Sequence, residues 1–305
     1  MYFPAAQIET APWIPPLVAF GISFFTSMGG VSGAFLLLPF QMSFLGYTAP
    51  SVSATNQLFN IVAIPSGVYR YCKEGRMLWP LTWIVILGTL PGVLLGAIIR
   101  VKYLPDPVKF KLFASGVLFY IGFKMIKDLL QKNRSGHEDK TLKNKTNLDG
   151  TITYPAVEVT HFSLARLKYN FRGQSFSVSC MGIFILSLIV GVIGGVYGIG
   201  GGSIIAPFFV TVFALPVHTV AGAALMGTFV TSVAGVAFYQ IMALFYPAMS
   251  VAPDWLLGFL FGIGGTAGMY LGARCQKHIP AKAIKWLLAA IIIFTALKYL
   301  LAFFK

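Results

Sequence analysis

Acidic side chains are scarce in this chain: nine in 305 residues, against 23 lysines and arginines. Glu9, Glu74, Asp106, Asp128, Glu138, Asp139, Asp149, Glu158 and Asp254 all fall in loops or near the ends of apolar runs, so no carboxylate is placed to relay protons through a membrane core. Cysteine is equally sparse. Cys72, Cys180 and Cys275 are scattered, nothing pairs them into a metal or redox motif, and each reads as a small buried hydrophobe. The apolar runs also lack paired carboxylates, a His-rich cluster and a nucleophile beside a base, which argues against an enzyme. No P-loop sequence occurs, so ATP-driven chemistry is disfavoured as well. The sequence calls for neither a metal nor a cofactor.

What remains is mostly apolar. With 57% hydrophobic and 10% charged residues, the chain is too apolar for an ordinary soluble domain and reads as an integral membrane protein. Runs long enough for a spanning helix of about 20 residues cover 51–71, 79–99, 107–130, 218–246, 253–275 and 281–304. Two longer runs, 13–46 and 178–214, are each cut by a cluster of glycines. Lipid cannot satisfy open backbone groups and no stretch alternates as a barrel strand does, so the expected fold is all-α, with about eight to ten membrane segments. Met1 to Pro16 lack a basic n-region and carry Glu9, which argues against a cleaved signal peptide. Trp13, Trp79, Trp255 and Trp286 fall near proposed helix ends, where amphipathic rings favour the headgroup layer.

The glycine breaks repeat. Gly29-Gly30-Val31-Ser32-Gly33 followed by Pro39 reappears as Gly198-Ile199-Gly200-Gly201-Gly202 followed by Pro207, and setting Gly30 on Gly198, Gly33 on Gly201 and Pro39 on Pro207 needs no gap. Gly88, Gly92 and Gly96 likewise match Gly264, Gly268 and Gly272 at the offset that sets Trp79 on Trp255. Glycines at every fourth position let two helices approach closely, so this second set reads as packing. The chain divides into a first membrane repeat at 1–130, a polar extramembrane insert at 131–177 and a second membrane repeat at 178–305. Lys132, Arg134, Lys140, Lys143 and Lys145 place the insert in the cytoplasm by the positive-inside rule. The net charge of +14 is better explained by such loops meeting anionic lipid than by nucleic acid.

Each repeat is expected to begin with a Gly-broken or re-entrant helix. If that helix dips in and returns, the halves are inverted; if it crosses, they are parallel. The loop with Arg70, Lys73 and Arg76 is basic while its counterpart at 247–254 holds only Asp254, which favours inversion. Against it, the stretches around Arg100 and Arg274 are both basic; the expected arrangement is two inverted repeats.

Paired interruptions of membrane helices mark solute sites in transporters built from repeats. Gly29, Pro39, Gly198 and Pro207 are the structural helix breaks, and each unwound stretch starts a new half-helix whose first amides and positive dipole end favour anions. The candidate site therefore takes Gly30, Ser32 and Gly33 from the first break and Gly200, Gly201, Gly202 and Ser203 from the second. The next helix of the first half contributes Ser53, Asn56, Gln57 and Asn60, recurring at three- and four-residue spacing on one face. The second half offers Thr228, Thr231 and Ser232 instead. Interhelical hydrogen bonding is the competing role for all of these. Arg70, beside Tyr71, is the better candidate cation and Arg100, at the end of the following helix, the second; snorkelling to the headgroups is the competing role for both.

These residues resemble the TauE/SafE family of membrane transporters, also described as sulfite exporters, in which two homologous halves each carry a Gly-rich segment ending in proline. The second copy, Gly198 through Ser203 to Pro207, is the closer match; the first has Ser32 and Ala34 where the second has Gly200 and Gly202. The resemblance covers both membrane halves and omits the insert. It implies a multi-pass protein of the cytoplasmic (inner) membrane, a secondary transporter that exports sulfite or an organosulfonate such as sulfoacetate. A small-anion channel is the alternative. The expected partners are the small anionic solute, the lipid bilayer and a second copy of the chain in a homodimer.

Overall fold

The computed structural model describes residues 1–29, 32–73, 77–130, 158–163, 165–171, 173–275 and 281–303. A short hairpin, β1 (Tyr2–Phe3) and β2 (Ile8–Glu9), precedes α1 (Ile14–Gly29), α2 (Ala34–Ser43), α3 (Ser51–Ala63), α4 (Pro65–Lys73), α5 (Trp79–Lys102) and α6 (Pro107–Leu130). An antiparallel sheet of β3 (Glu158–Phe162), β4 (Arg166–Phe171) and β5 (Gln174–Ser179), in that order, leads into the second set of helices. These are α7 (Cys180–Tyr197), α8 (Gly202–Val212), α9 (Val217–Phe245), α10 (Trp255–Cys275) and α11 (Ala281–Leu301). The expected insert residues 131–157 lie outside the described residues.

By length and composition, four helices among the described residues can cross a membrane: α5, α7, α9 and α10. Large apolar side chains face outward along them and their neighbours, including Trp13, Leu87, Leu244 and Phe294, as lipid contact requires. Two of the scarce acids sit at helix starts. Asp106 Oδ1 accepts from Val108 N at 2.6 Å, and Asp254 Oδ1 accepts from Leu257 N at 3.0 Å, satisfying first-turn amides and the positive helix end. The run expected at 51–71 differs from expectation, because it divides at Ile64 into α3 and α4. Pro65 explains the break: it lacks an N–H, and its ring crowds the preceding turn.

The halves interlock through glycine-lined crossings. Side-chain space at Gly88, Gly92 and Gly96 of α5 is taken by Phe184 and Ser187, by Leu188 and Gly191, and by Val192 and Gly195 of α7 respectively, so α5 and α7 run in the same direction. Gly264, Gly268 and Gly272 of α10 meet Pro16, Phe20 and Phe24 of α1 in the same parallel sense. Such close approach allows backbone-to-backbone packing that no larger residue tolerates.

Two clusters tie the helix starts together. At one end Ser51 and Ser250 share a hydroxyl contact of 2.8 Å, Ser250 also donates to the Ala5 carbonyl, and Asp254 Oδ2 accepts from Ala6 N at 3.2 Å. The β1–β2 hairpin that precedes α1 and the starts of α3 and α10 thus gather there. At another end Met77, just before α5, packs on Gly222 of α9. Tyr169 of β4 joins it there, with its hydroxyl 3.0 Å from that of Thr219 at the start of α9. Burial pushes the Tyr169 hydroxyl above its ordinary pKa.

Candidate functional site

The candidate site forms where both helix breaks meet α3. α7 stops because Gly198 adopts φ +81, a left-handed conformation open to glycine, and Gly200 follows at φ +73. A helix end leaves its last carbonyls without intrahelical partners, and here three of the last four find donors. Gly194 O accepts from Gly198 N at 2.8 Å and Ile199 N at 3.0 Å. Gly195 O accepts from the Tyr239 hydroxyl at 3.2 Å, and Val196 O from Ser53 Oγ at 3.0 Å. Beyond the helix, Gly198 O accepts from Asn56 Nδ2 at 3.1 Å and Ile199 O from Asn60 Nδ2 at 3.0 Å. One face of α3 therefore serves as the hydrogen-bonding wall for the second break.

The first break reaches the same wall. Asn56 Nδ2 also donates to Ala34 O at 2.9 Å, so a single amide nitrogen holds the first residue of α2 and the last capping residue of α7. Pro39 cannot supply the amide that would bond the carbonyl four residues earlier, and that carbonyl, Phe35 O, accepts from the Tyr197 hydroxyl at 2.9 Å. Ser32 Oγ accepts from Ala34 N at 3.3 Å, and Gly33 packs beside Ser23 and Thr26 of α1. On α9, Thr231 Oγ1 accepts from Gly201 N at 3.3 Å while donating to Gly227 O at 2.6 Å. Gly200 and Gly202 lie against Thr228, and Gly200 also against Ser232, with no space for a side chain.

These polar groups are sealed from bulk solvent. Ser53, Asn56, Gln57, Asn60, Thr231 and Ser232 are 0% exposed and Thr228 is 1% exposed. Most of their donors are engaged, but Gln57 Oε1 and Nε2, Asn60 Oδ1 and Gln41 Oε1 have no hydrogen-bond partner. Leaving a buried polar atom unpaired costs about 1–3 kcal/mol, so Gln57, with both ends of its amide idle, is the most anomalous group in the cluster. It lies against Gly235 of α9.

The structure thus brings together Ser32, Gly33, Ser53, Asn56, Gln57, Asn60, Gly200, Gly201, Gly202, Thr228, Thr231 and Ser232. Gly30 lies outside the described residues, as do the side chains of Ser203, Pro207 and Arg70. Two participants were missed by sequence reasoning: Gln41, whose Nε2 donates to Asn56 Oδ1 at 3.4 Å, and Tyr197. Gln41 could have been noticed as the lone amide in the apolar stretch of α2. Arg100 corrects an expectation. It does not snorkel outward but is 0% exposed, with its guanidinium 3.7 Å over the Phe110 ring and Nε 3.4 Å from Ser53 Oγ. The position near a helix end gave no hint that α3 and the preceding loop would fold over it.

Glycine-packed helices, two matched breaks and a buried polar cluster between them define a multi-pass helical membrane transporter. The family profile described as sulfite exporter TauE/SafE matches residues 16–299, and the chain belongs to that family. It is 24% identical to the probable membrane transporter protein YunE of Bacillus subtilis (strain 168) over 277 residues, covering 88% of this chain and 89% of that protein. It is also 26% identical to the probable membrane transporter protein YdhB of the same strain over 122 residues, 40% of this chain and under half (46%) of that protein. No solved structure matches the chain.

Proposed function

We propose that this transporter exports a small sulfur-containing anion, sulfite or an organosulfonate such as sulfoacetate, bound between the two breaks. The observation that carries the reading is the convergence of both broken stretches on Asn56, with the carbonyls of the second break satisfied by Tyr239, Ser53, Asn56 and Asn60. With carbonyls occupied by protein donors, the positive ends of α2 and α8, whose amides at Ala34 and Gly201 bond only neutral hydroxyls, are the groups left to favour an anion. Gln57 supplies an amide with no competing partner. The buried state of the cluster represents a conformation closed on both sides, so a solute enters only when one repeat moves against the other. The family's description as sulfite exporter supports the solute class.

The two halves are inverted in this reading. Support comes from the starts of α3 and α10 gathering at one end with α1 parallel to α10, the starts of α5 and α9 at another, and α7 running parallel to α5. An interior-negative potential drives anions outward with about 2.3 kcal/mol per charge per 100 mV. No coupling ion is then required. Purified protein in vesicles tests this: labelled sulfite or sulfoacetate should move with saturable kinetics, and an imposed potassium-diffusion potential should speed or slow it according to sign. Flux that ignores both the potential and the solute gradient overturns the proposal.

A further inference from the structure

Arg100 is a buried ion in an apolar protein, and its neighbours do not neutralise it. Nε bonds Ser53 Oγ at 3.4 Å, one terminal nitrogen bonds the Leu104 carbonyl, and the other bonds the carbonyls of Thr48 at 3.3 Å and Ala49 at 3.4 Å. The Phe110 ring covers its face. Among the described residues, none of these hydrogen-bond partners is a carboxylate. Tying down three backbone carbonyls and a hydroxyl requires donors, not a charge, and neutral donors would do so without the desolvation cost of burying an ion. The charge therefore needs a reason beyond scaffolding.

Its position supplies one. Ser53 Oγ, which accepts from Arg100, donates to Val196 O at the end of α7, so two hydrogen bonds link the guanidinium to the second helix break. At the offset that sets Trp79 on Trp255, Arg100 falls on Gln276, so the repeat does not duplicate the charge. We infer that Arg100 is the charge-selecting residue of the site, a fixed positive centre that favours solutes in proportion to their negative charge. This rests on the anion-transport reading above. Arg100 acts at range as a positioning residue for charge, since its donors are engaged with the protein. A unit charge at ~10 Å in a medium of effective dielectric about 20 changes affinity on the order of tenfold per unit of solute charge.

The test compares methanesulfonate, a monoanion, with sulfoacetate, a dianion, in binding and vesicle flux for wild type, Arg100→Gln, Arg100→Lys and Ser53→Asp. Arg100→Gln should weaken sulfoacetate about tenfold more than methanesulfonate, whereas Arg100→Lys should keep the wild-type ratio. Ser53→Asp neutralises the charge with the guanidinium still present, so it should shift the ratio as Arg100→Gln does and answers the question if that variant fails to fold. A purely structural role would weaken both solutes equally. An unchanged ratio in Arg100→Gln, or in Ser53→Asp should that variant alone fold, overturns the inference, and so does an equal shift in Arg100→Lys and Arg100→Gln. Absence of flux for both solutes and for sulfite in wild type overturns the transport reading itself.

Discussion

Two neighbours on α3, both fully buried, show how hydrogen-bond partners separate a structural amide from a candidate binding one. Asn56 donates to two carbonyls and accepts from Gln41, whereas Gln57 has no partner at either end. Asn56→Ala leaves the Gly198 carbonyl unpaired, while Ala34 O keeps its bond within α2, so the change should cost about 1–3 kcal/mol. Gln57→Leu, which installs the residue found at the matching position Leu225, removes an unpaired amide and should leave stability equal or raised. Thermal unfolding in detergent beside anion binding separates them: the first variant loses stability, the second loses affinity while staying folded. Retained affinity in a well-folded Gln57→Leu would return that residue to packing. Sequence spacing placed both on one face, but identical periodicity could not distinguish their partners.

At the level of elements, the breaks hold their shape because each freed backbone group has a specific donor. Tyr197, at the end of α7, reaches the carbonyl that Pro39 orphans in α2, joining the two interrupted stretches directly. Tyr197→Phe keeps the volume and deletes that bond, so it should lower stability by about 1–3 kcal/mol. The two breaks should also loosen together, visible as faster amide hydrogen exchange in both α2 and the 198–201 segment. Exchange that quickens in one segment alone would show that the arms are independent. The glycine clusters and prolines announced both breaks in the sequence, because few other residues interrupt a membrane helix. The tyrosine was not legible, since its partner lies 162 positions away in the chain.

For the molecule as a whole, the glycine-lined crossing of α5 and α7 fastens one half to the other. The space of a Gly92 side chain is taken by the α7 backbone at Leu188, Gly191 and Val192. Gly92→Val should therefore separate the helices and destabilise the protein by more than the roughly 1–3 kcal/mol of ordinary overpacking, because backbone cannot change rotamer to make room. Loss of folded protein on size-exclusion chromatography checks this, with Gly116→Val as the control, since Gly116 of α6 has open space around it.

Composition alone made this a helical membrane protein, because so few charges cannot dress a soluble surface and lipid admits few folds. The repeated glycine clusters fixed where its helices would be interrupted, since loss of Cβ and the proline ring act locally. The burial of Arg100, the division of labour between Asn56 and Gln57, and the pairing of α5 with α7 were decided by tertiary structure. Those outcomes depend on which distant carbonyl, ring or hydroxyl arrives beside a side chain, and local periodicity does not encode that.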